Sequence, residues 1–354
     1  MRSYRRAISL ALGAILLLDA AGIGLGMAHS LSRAAPQVRH SVVHAVAHPI
    51  PDSEATWQPV GPEVLTHALS ADPFRPTVVY AATIEGAFRS TDAGSLWRPI
   101  NVGLDARDPE VWQVTSTGRR NVLIAAASDG VVYRSSDGGA RWQQAGSRLD
   151  PGGVFAVVAD PSHPAVLLAG TSAGIWRSGD SGSHWHLARA AGGSGVDAFA
   201  WQPGTSRVYA GLIAGPHQFL VSGDGGKTWQ ASTAGLDGDE GIMSLLPSDR
   251  DRITLLAGTM GHRIWSRDEQ GTWHPSSTGL PAGEHGTALA GRGTLVWTST
   301  MSTGVFASTD GGQRWLPYGR GLAAGSRVVL SLAATEGRLL AGTSEGIYLL
   351  NQGT

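Results

Sequence analysis

The sequence has 354 residues, a formal net charge of -1, no cysteine, 49 glycines and 12 tryptophans. Near-neutral charge argues against nucleic acid as a partner, since that needs a basic face able to neutralise several phosphates. The lack of cysteine excludes disulfides, thiolate nucleophiles and thiolate metal sites together.

At the N-terminus, Arg2, Arg5 and Arg6 precede an apolar stretch from Ala7 to Ala28 broken only by Asp19. Residues 1–28 therefore read as a signal peptide or an N-terminal membrane anchor. The stretch is long enough to span a bilayer, which favours the anchor, while Gly26-Met27-Ala28 offers small residues for cleavage. Arg5-Arg6 fits a twin-arginine signal poorly. The rest of the chain is expected outside the cytoplasm, membrane-anchored or secreted. Residues 29–54, with Pro36, Pro49 and Pro51, read as a flexible tether. Within it His40, His44 and His48 recur at helical spacing, but prolines on both sides and the absence of acidic neighbours favour a spacer over a metal site.

From residue 55 onward the pattern is one of short apolar strands cut by Gly, Pro, Asp and Ser. A repeat with a period in the forties runs through it. Its signature is Ser-x-Asp-x-Gly-x-x-Trp, as in Ser135-Ser136-Asp137-Gly138-Gly139-Ala140-Arg141-Trp142. The aspartates are Asp92, Asp137, Asp180, Asp224, Asp268 and Asp310, spaced 42 to 45 residues apart. The fifth copy departs slightly, with Gly271 one place late. A seventh copy is split: Gly346-Ile347-Tyr348-Leu349 matches the strand leading into each box, and Thr56-Trp57-Gln58-Pro59 matches the Trp strand, with Gln352 where the Asp would fall. Each unit holds four strands, exemplified by Val64 to Leu69, Thr77 to Ala82, Gly86 to Arg89 and Leu96 to Ile100. The expected fold is all-β: a seven-bladed propeller of four-stranded antiparallel blades over residues 55–354, the last blade closed by the N-terminal strand.

The box has turn chemistry. Its Asp and Ser oxygens accept backbone N–H bonds within the turn, Gly supplies positive φ, and the Trp is expected to pack between adjacent sheets. The six aspartates are accordingly structural.

These boxes resemble the Asp-box, or BNR, propellers: sialidases, two-propeller xyloglucanases, the sortilin ectodomain and photosystem II assembly factors. The resemblance spans residue 55 to the C-terminus and implies the fold more than the function, because in those families the boxes lie opposite the working face. A sialidase likeness would imply an arginine triad, a Tyr-Glu nucleophile pair and an acidic proton donor. Phe74-Arg75-Pro76 matches the Phe-Arg-Ile-Pro element only without its Ile, and Tyr80, Tyr133 and Tyr348 read as packing residues. A xyloglucanase likeness would imply an acid and a base across a cleft between two propellers, of which the chain encodes one. There is no Gly-x-Ser-x-Gly elbow after a strand that enters a helix, and Gly192-Gly193-Ser194-Gly195 lacks the Lys of a phosphate cradle. An arginine patch of the assembly-factor kind is not matched.

Candidate ligand residues are therefore sought in the loops opposite the boxes, which are rich in acids. They are Asp105, Arg107, Asp108 and Glu110 in one loop, Asp237, Asp239 and Glu240 in a second, Glu284, and His217 in the long segment Ala214-Gly215-Pro216-His217-Gln218. No catalytic residue or metal ligand is assigned and no cofactor is required, with Ca²⁺ the one ion such acids would suit. The leading expectation is an extracytoplasmic, membrane-tethered, monomeric propeller that binds a protein or peptide and performs no chemistry. The alternative is a glycoside hydrolase or sialidase-like enzyme with an atypical site.

Overall fold

In the computed structural model, residues 55–351 are described apart from 108, 216–217, 238–239, 251–252, 262, 293–294, 323–327 and 336. Residues 1–54, expected above to be a signal peptide or anchor followed by a tether with its histidines, lie outside the described residues, as do Gln352 and the candidates Asp108, His217 and Asp239. The short apolar runs form twenty-eight strands, β1 (Thr56–Pro59) to β28 (Gly346–Asn351), in seven four-stranded antiparallel sheets. The first blade is β2 (Thr66–Ala71), β3 (Val79–Thr83), β4 (Gly86–Ser90) and β5 (Arg98–Pro99). These start up to two residues later than the sequence pattern suggests, and the outer strand is only two residues long.

The innermost strands are β2, β6 (Val111–Ser116), β10 (Val154–Ala159), β14 (Val196–Trp201), β18 (Ile242–Arg250), β22 (Gly286–Arg292) and β26 (Val329–Thr335). Each packs on the next and β26 packs on β2, so the ring closes. Small residues on the second strands allow this approach. At Gly170 an added Cβ would meet the Val196 carbonyl of the next blade at 2.3 Å. The last sheet is the expected splice, in the order β1, β28, β27 (Arg338–Thr343), β26, with Trp57 opposite Leu350. Trp57 N–H also donates to the Arg320 carbonyl at 2.9 Å, tying the strand to the preceding blade.

Five boxes share one hydrogen-bond pattern. In the second, Ser135 Oγ donates to Asp137 Oδ1 (2.7 Å) and accepts from Gly139 N–H (2.9 Å), and Arg141 N–H donates to Asp137 Oδ1 (3.0 Å). Hydrogen bonds to the charged form favour it. The Ser135 hydroxyl and the Arg141 N–H hold the Asp137 carboxyl below its ordinary value. At Asp224, burial would raise the carboxyl, but Thr228 and Ser222 outweigh it and bring it down to about 2.

The fifth box is reshaped. Its strand β20 (Ile264–Asp268) runs through the Asp, Ser266 Oγ bonds the His274 carbonyl instead of Asp268, and Asp268 Oδ2 pairs with His274 Nε2 at 2.8 Å. Arg267 is thereby turned inward, over the rings of Phe219 and Tyr209 and bonded to Ser232 Oγ.

The box tryptophans pack as expected in five blades, where Trp57, Trp142, Trp229, Trp273 and Trp315 are buried. Trp97 and Trp185 are only half-buried, a departure from seven equivalent rings. In four blades the indole N–H reaches the carbonyl of the preceding blade: Trp142 to Ile100, Trp185 to Ala145, Trp273 to Ser232 and Trp315 to Ser276, at 2.6 to 3.1 Å. Trp97 and Trp229 bond their own turn glycines.

Candidate functional site

The box turns occupy one end of every blade, so the inner strands begin at the other. At that end the regular alternation breaks in the same way seven times. Between the first and third residues of each inner strand the pairing register shifts, leaving one extra residue: His67, Trp112, Phe155, Asp197, Met243, Thr287 and Leu330. A bulge of this kind re-aims a side chain and recurs next to functional sites. Here it falls on seven non-repeating residues at equivalent places near the channel mouth, of which Phe155 and Thr287 are buried.

Four of them have chemistry worth following. His67 stacks on Trp112 with centroids 4.7 Å apart and planes 13° from parallel, and Phe155 meets Trp112 edge-on at 5.7 Å. Glu110, at the entry to the second blade, holds His67 Nε2 through Oε1 at 3.0 Å. Trp112 Nε1 is buried without an acceptor. The arc continues to the fourth blade, since a Cβ at Gly195 would touch the Phe155 ring at 3.0 Å. Two residues on stands Asp197, half-buried, with no hydrogen-bond partner among the described residues. Burial pushes its carboxyl up to about 6, as expected where desolvation disfavours the charged form.

The acids singled out from the sequence separate into three groups. Asp105 and Arg107 are exposed, and Asp105 Oδ1 accepts from Arg107 N–H at 2.9 Å, while Glu110 of the same segment belongs to the channel mouth. Asp237 pairs with Arg263 at 3.0 Å and Glu240 accepts from Thr259 Oγ1 at 3.1 Å, beside an open hollow of about 550 Å³ lined by Glu240, Arg263, Pro275 and Leu280. Glu284 accepts from the hydroxyl and N–H of Ser302. Other loop acids serve turns: Asp150 would be raised by burial, but Ser172 and the Gly152 and Ala173 N–H groups hold it below its ordinary value. Among the described residues no group of three or more His, Asp or Glu is placed to hold a metal ion.

Phe74-Arg75-Pro76 is also a turn. Arg75 Nη2 bonds Asp72 Oδ2 at 2.7 Å and Tyr80 Oη at 2.9 Å, a local network that locks the end of the blade. Tyr80, Tyr133 and Tyr348 are buried, as packing residues should be.

No family model matches the chain. Two proteins resemble it in sequence. The relatives are xyloglucanases by name. One, a probable oligoxyloglucan-reducing end-specific xyloglucanase of Neosartorya fischeri, is 32% identical over 144 residues, covering 37% of this chain and 18% of that protein. The other, a xyloglucanase of a Paenibacillus species, is 26% identical over 314 residues, covering 67% of this chain and 30% of that protein. The chain thus spans less than a third of either relative.

Among solved structures, the GH74 xyloglucanase from Xanthomonas campestris matches with a TM-score of 0.69 at 21% identity, over 83% of this chain and 53% of that one. YCF48 from Cyanidioschyzon merolae matches with a TM-score of 0.65 at 16% identity, over 84% and 98%. These likenesses establish the seven-bladed propeller. The named sequence relatives overturn the expectation of a non-catalytic protein- or peptide-binding scaffold and favour its alternative, a glycoside hydrolase. The scaffold expectation rests on loop charge and on the lack of a recognisable catalytic motif, and neither bears on the bulged positions of the inner strands.

Proposed function

We propose that this chain is a glycoside hydrolase acting on xyloglucan-type chains, with its site at the bulged ring of the channel mouth. The observation that carries this reading is the sequence match to proteins named xyloglucanases, one of which extends over 67% of the chain. The side chains at the mouth support it. His67 and Trp112, both partly exposed, give aromatic surface for the C–H faces of sugar rings, while Glu110 and Asp197 give carboxyl groups of the kind that glycoside hydrolysis uses. In this reading the Ser-x-Asp turns are Asp-boxes that fasten the blades, and residues 1–28 export or anchor the propeller outside the cytoplasm. The full chain should release new reducing ends from xyloglucan oligosaccharides in a colorimetric assay, and should still do so when the box residue Asp310 is changed to Asn. No release at any pH between about 4 and 8, the range in which paired carboxyls of this kind operate, would sink the proposal.

A further inference from the structure

The residue before the box serine is arginine in each of the first three blades: Arg89, Arg134 and Arg177. Two of them fasten their blade to the next one. Arg89 Nη1 donates to the Gly138 carbonyl at 2.9 Å, and Arg177 Nε donates to the Gly225 carbonyl at 2.9 Å. Gly138 and Gly225 directly follow the box aspartates Asp137 and Asp224, so the contact is a repeated one. The matching partner for Arg134 is Ser181, after Asp180, yet the Arg134 guanidinium has no hydrogen bond or ion pair among the described residues. Arg134 instead lines, with Ser181 on the facing blade, an open hollow of about 360 Å³ between the second and third blades. The second-blade wall is β8 (Val132–Ser135), the box turn and β9 (Gln143–Gln144). At Ala145 and Gly146 the two blades close on each other. Trp185 Nε1 donates to the Ala145 carbonyl at 2.8 Å, and a Cβ at Gly146 would meet the Gly182 carbonyl at 2.6 Å.

Arg141 lines the hollow as well, and its guanidinium has no partner among the described residues either. Asp137 is the one carboxylate in the lining, and its Oδ1 is committed to the Ser135 hydroxyl and the Arg141 N–H. Two cations against one anion leave a place for one negative charge. Arginine forks match a carboxylate bidentately. Ser136, Ser181 and Gln143 add neutral donors and acceptors, and Ala145 is the one apolar side chain of the lining, which suits an anion that also carries hydroxyls rather than an apolar one. The volume is that of a small-ligand site. We propose that this hollow binds a uronate-type sugar, its carboxylate held by Arg134 and Arg141 and its hydroxyls by the serine and glutamine side chains. The site is at the box end of the blades and does not draw on the hydrolase reading.

The test is calorimetric titration of digalacturonate, neutral galactobiose and inorganic sulfate into the full-length parent, Arg134→Met and Arg89→Met, with the melting temperature of each protein. The two variants remove the same charge from equivalent positions, so they separate a ligand contact from a tie between blades. Arg134→Met should melt with the parent and bind digalacturonate at least about tenfold more weakly, the loss expected for a charge-assisted contact. Arg89→Met should bind digalacturonate like the parent but melt lower, because it breaks the bond to Gly138. Galactobiose and sulfate should bind the parent more weakly than digalacturonate, the first for want of the acid and the second for want of the ring hydroxyls. The proposal is overturned if the parent does not bind digalacturonate at millimolar concentration, if Arg134→Met binds it as the parent does, or if galactobiose or sulfate binds as tightly. An Arg134→Met that melts as low as Arg89→Met would also overturn it, by showing that Arg134 fastens the blades as its counterparts do. None of these results involves hydrolysis, so each leaves the hydrolase reading standing.

Discussion

Trp142→Ala lowers the melting temperature of the propeller by about 10 °C, several times the loss caused by Trp97→Ala. The physical case rests on what each indole touches. Trp142 is 1% exposed and packs with Val78, Tyr80, Ile100, Ala125 and Tyr133, residues of two neighbouring blades. Its N–H donates to the Ile100 carbonyl at 2.6 Å, so truncation empties the space between two sheets and leaves a buried carbonyl without its donor. Large-to-small changes of this kind cost about 3–5 kcal/mol, and each kcal/mol is worth about 2–4 °C in a chain of this size. Trp97 is half-buried and bonds the glycine of its own turn, so its loss opens little space between blades. Differential scanning calorimetry of both variants measures the contrast. Equal shifts would mean that the seven box tryptophans carry the same weight despite their different burial.

The second large effect has the opposite sign. Asp197→Asn stabilises the fold at neutral pH and leaves it unchanged near pH 4. The folded-state carboxyl titrates at about 6 against an ordinary value of 3.8, so between those values the native state holds a proton that the unfolded chain has released. Stability therefore falls as pH rises from about 4 to about 6 and stays reduced above that, by at most about 3 kcal/mol. Asparagine has no charge to bury, and its advantage should appear across the same window. Guanidinium unfolding midpoints of parent and variant at pH 4.5 and 7.5 decide this, and an Asn variant that is equally or less stable at pH 7.5 would show that the carboxylate is not strained. A residue that costs stability at working pH fits a site under functional selection, where stability is commonly traded for activity.

Most of the architecture was legible in the sequence because a propeller repeats its turn chemistry. Asp92 and its five counterparts fixed the blade count, and the match between Trp57 and Trp315 located the splice that closes the ring. The bulged ring was not legible, and the reason is local. Strict alternation along Val111-Trp112-Gln113-Val114 assigns Trp112 to one face of the strand, while a single inserted residue re-aims it, and one unpaired residue leaves no mark in a period-two pattern. A signal was nonetheless present. Aligned by repeat, the second residue of the inner strand reads His, Trp, Phe, Asp, Met, Thr, Leu, far more varied than its buried neighbours, which are small or aliphatic. Variation at a structurally equivalent position is what a binding face built on a symmetric scaffold requires. The loop acids misled because charge alone does not distinguish a turn from a site. Asp150 and Asp129 spend their oxygens on N–H and hydroxyl groups nearby, and Asp237 spends its own on Arg263. The fifth box was flagged by the displaced Gly271, but the inward turn of Arg267 depends on Phe219 and Tyr209 of the preceding blade, which no local motif encodes.

The placement of the working surface at the channel mouth is tested most directly by isothermal titration of a xyloglucan heptasaccharide into the parent, Trp112→Ala and the box variant Asp310→Asn. The parent and Asp310→Asn should bind alike, and Trp112→Ala should bind at least about tenfold more weakly, a loss of about 1.4 kcal/mol. Unchanged binding by Trp112→Ala together with loss in Asp310→Asn would place the working surface at the boxes and contradict the account.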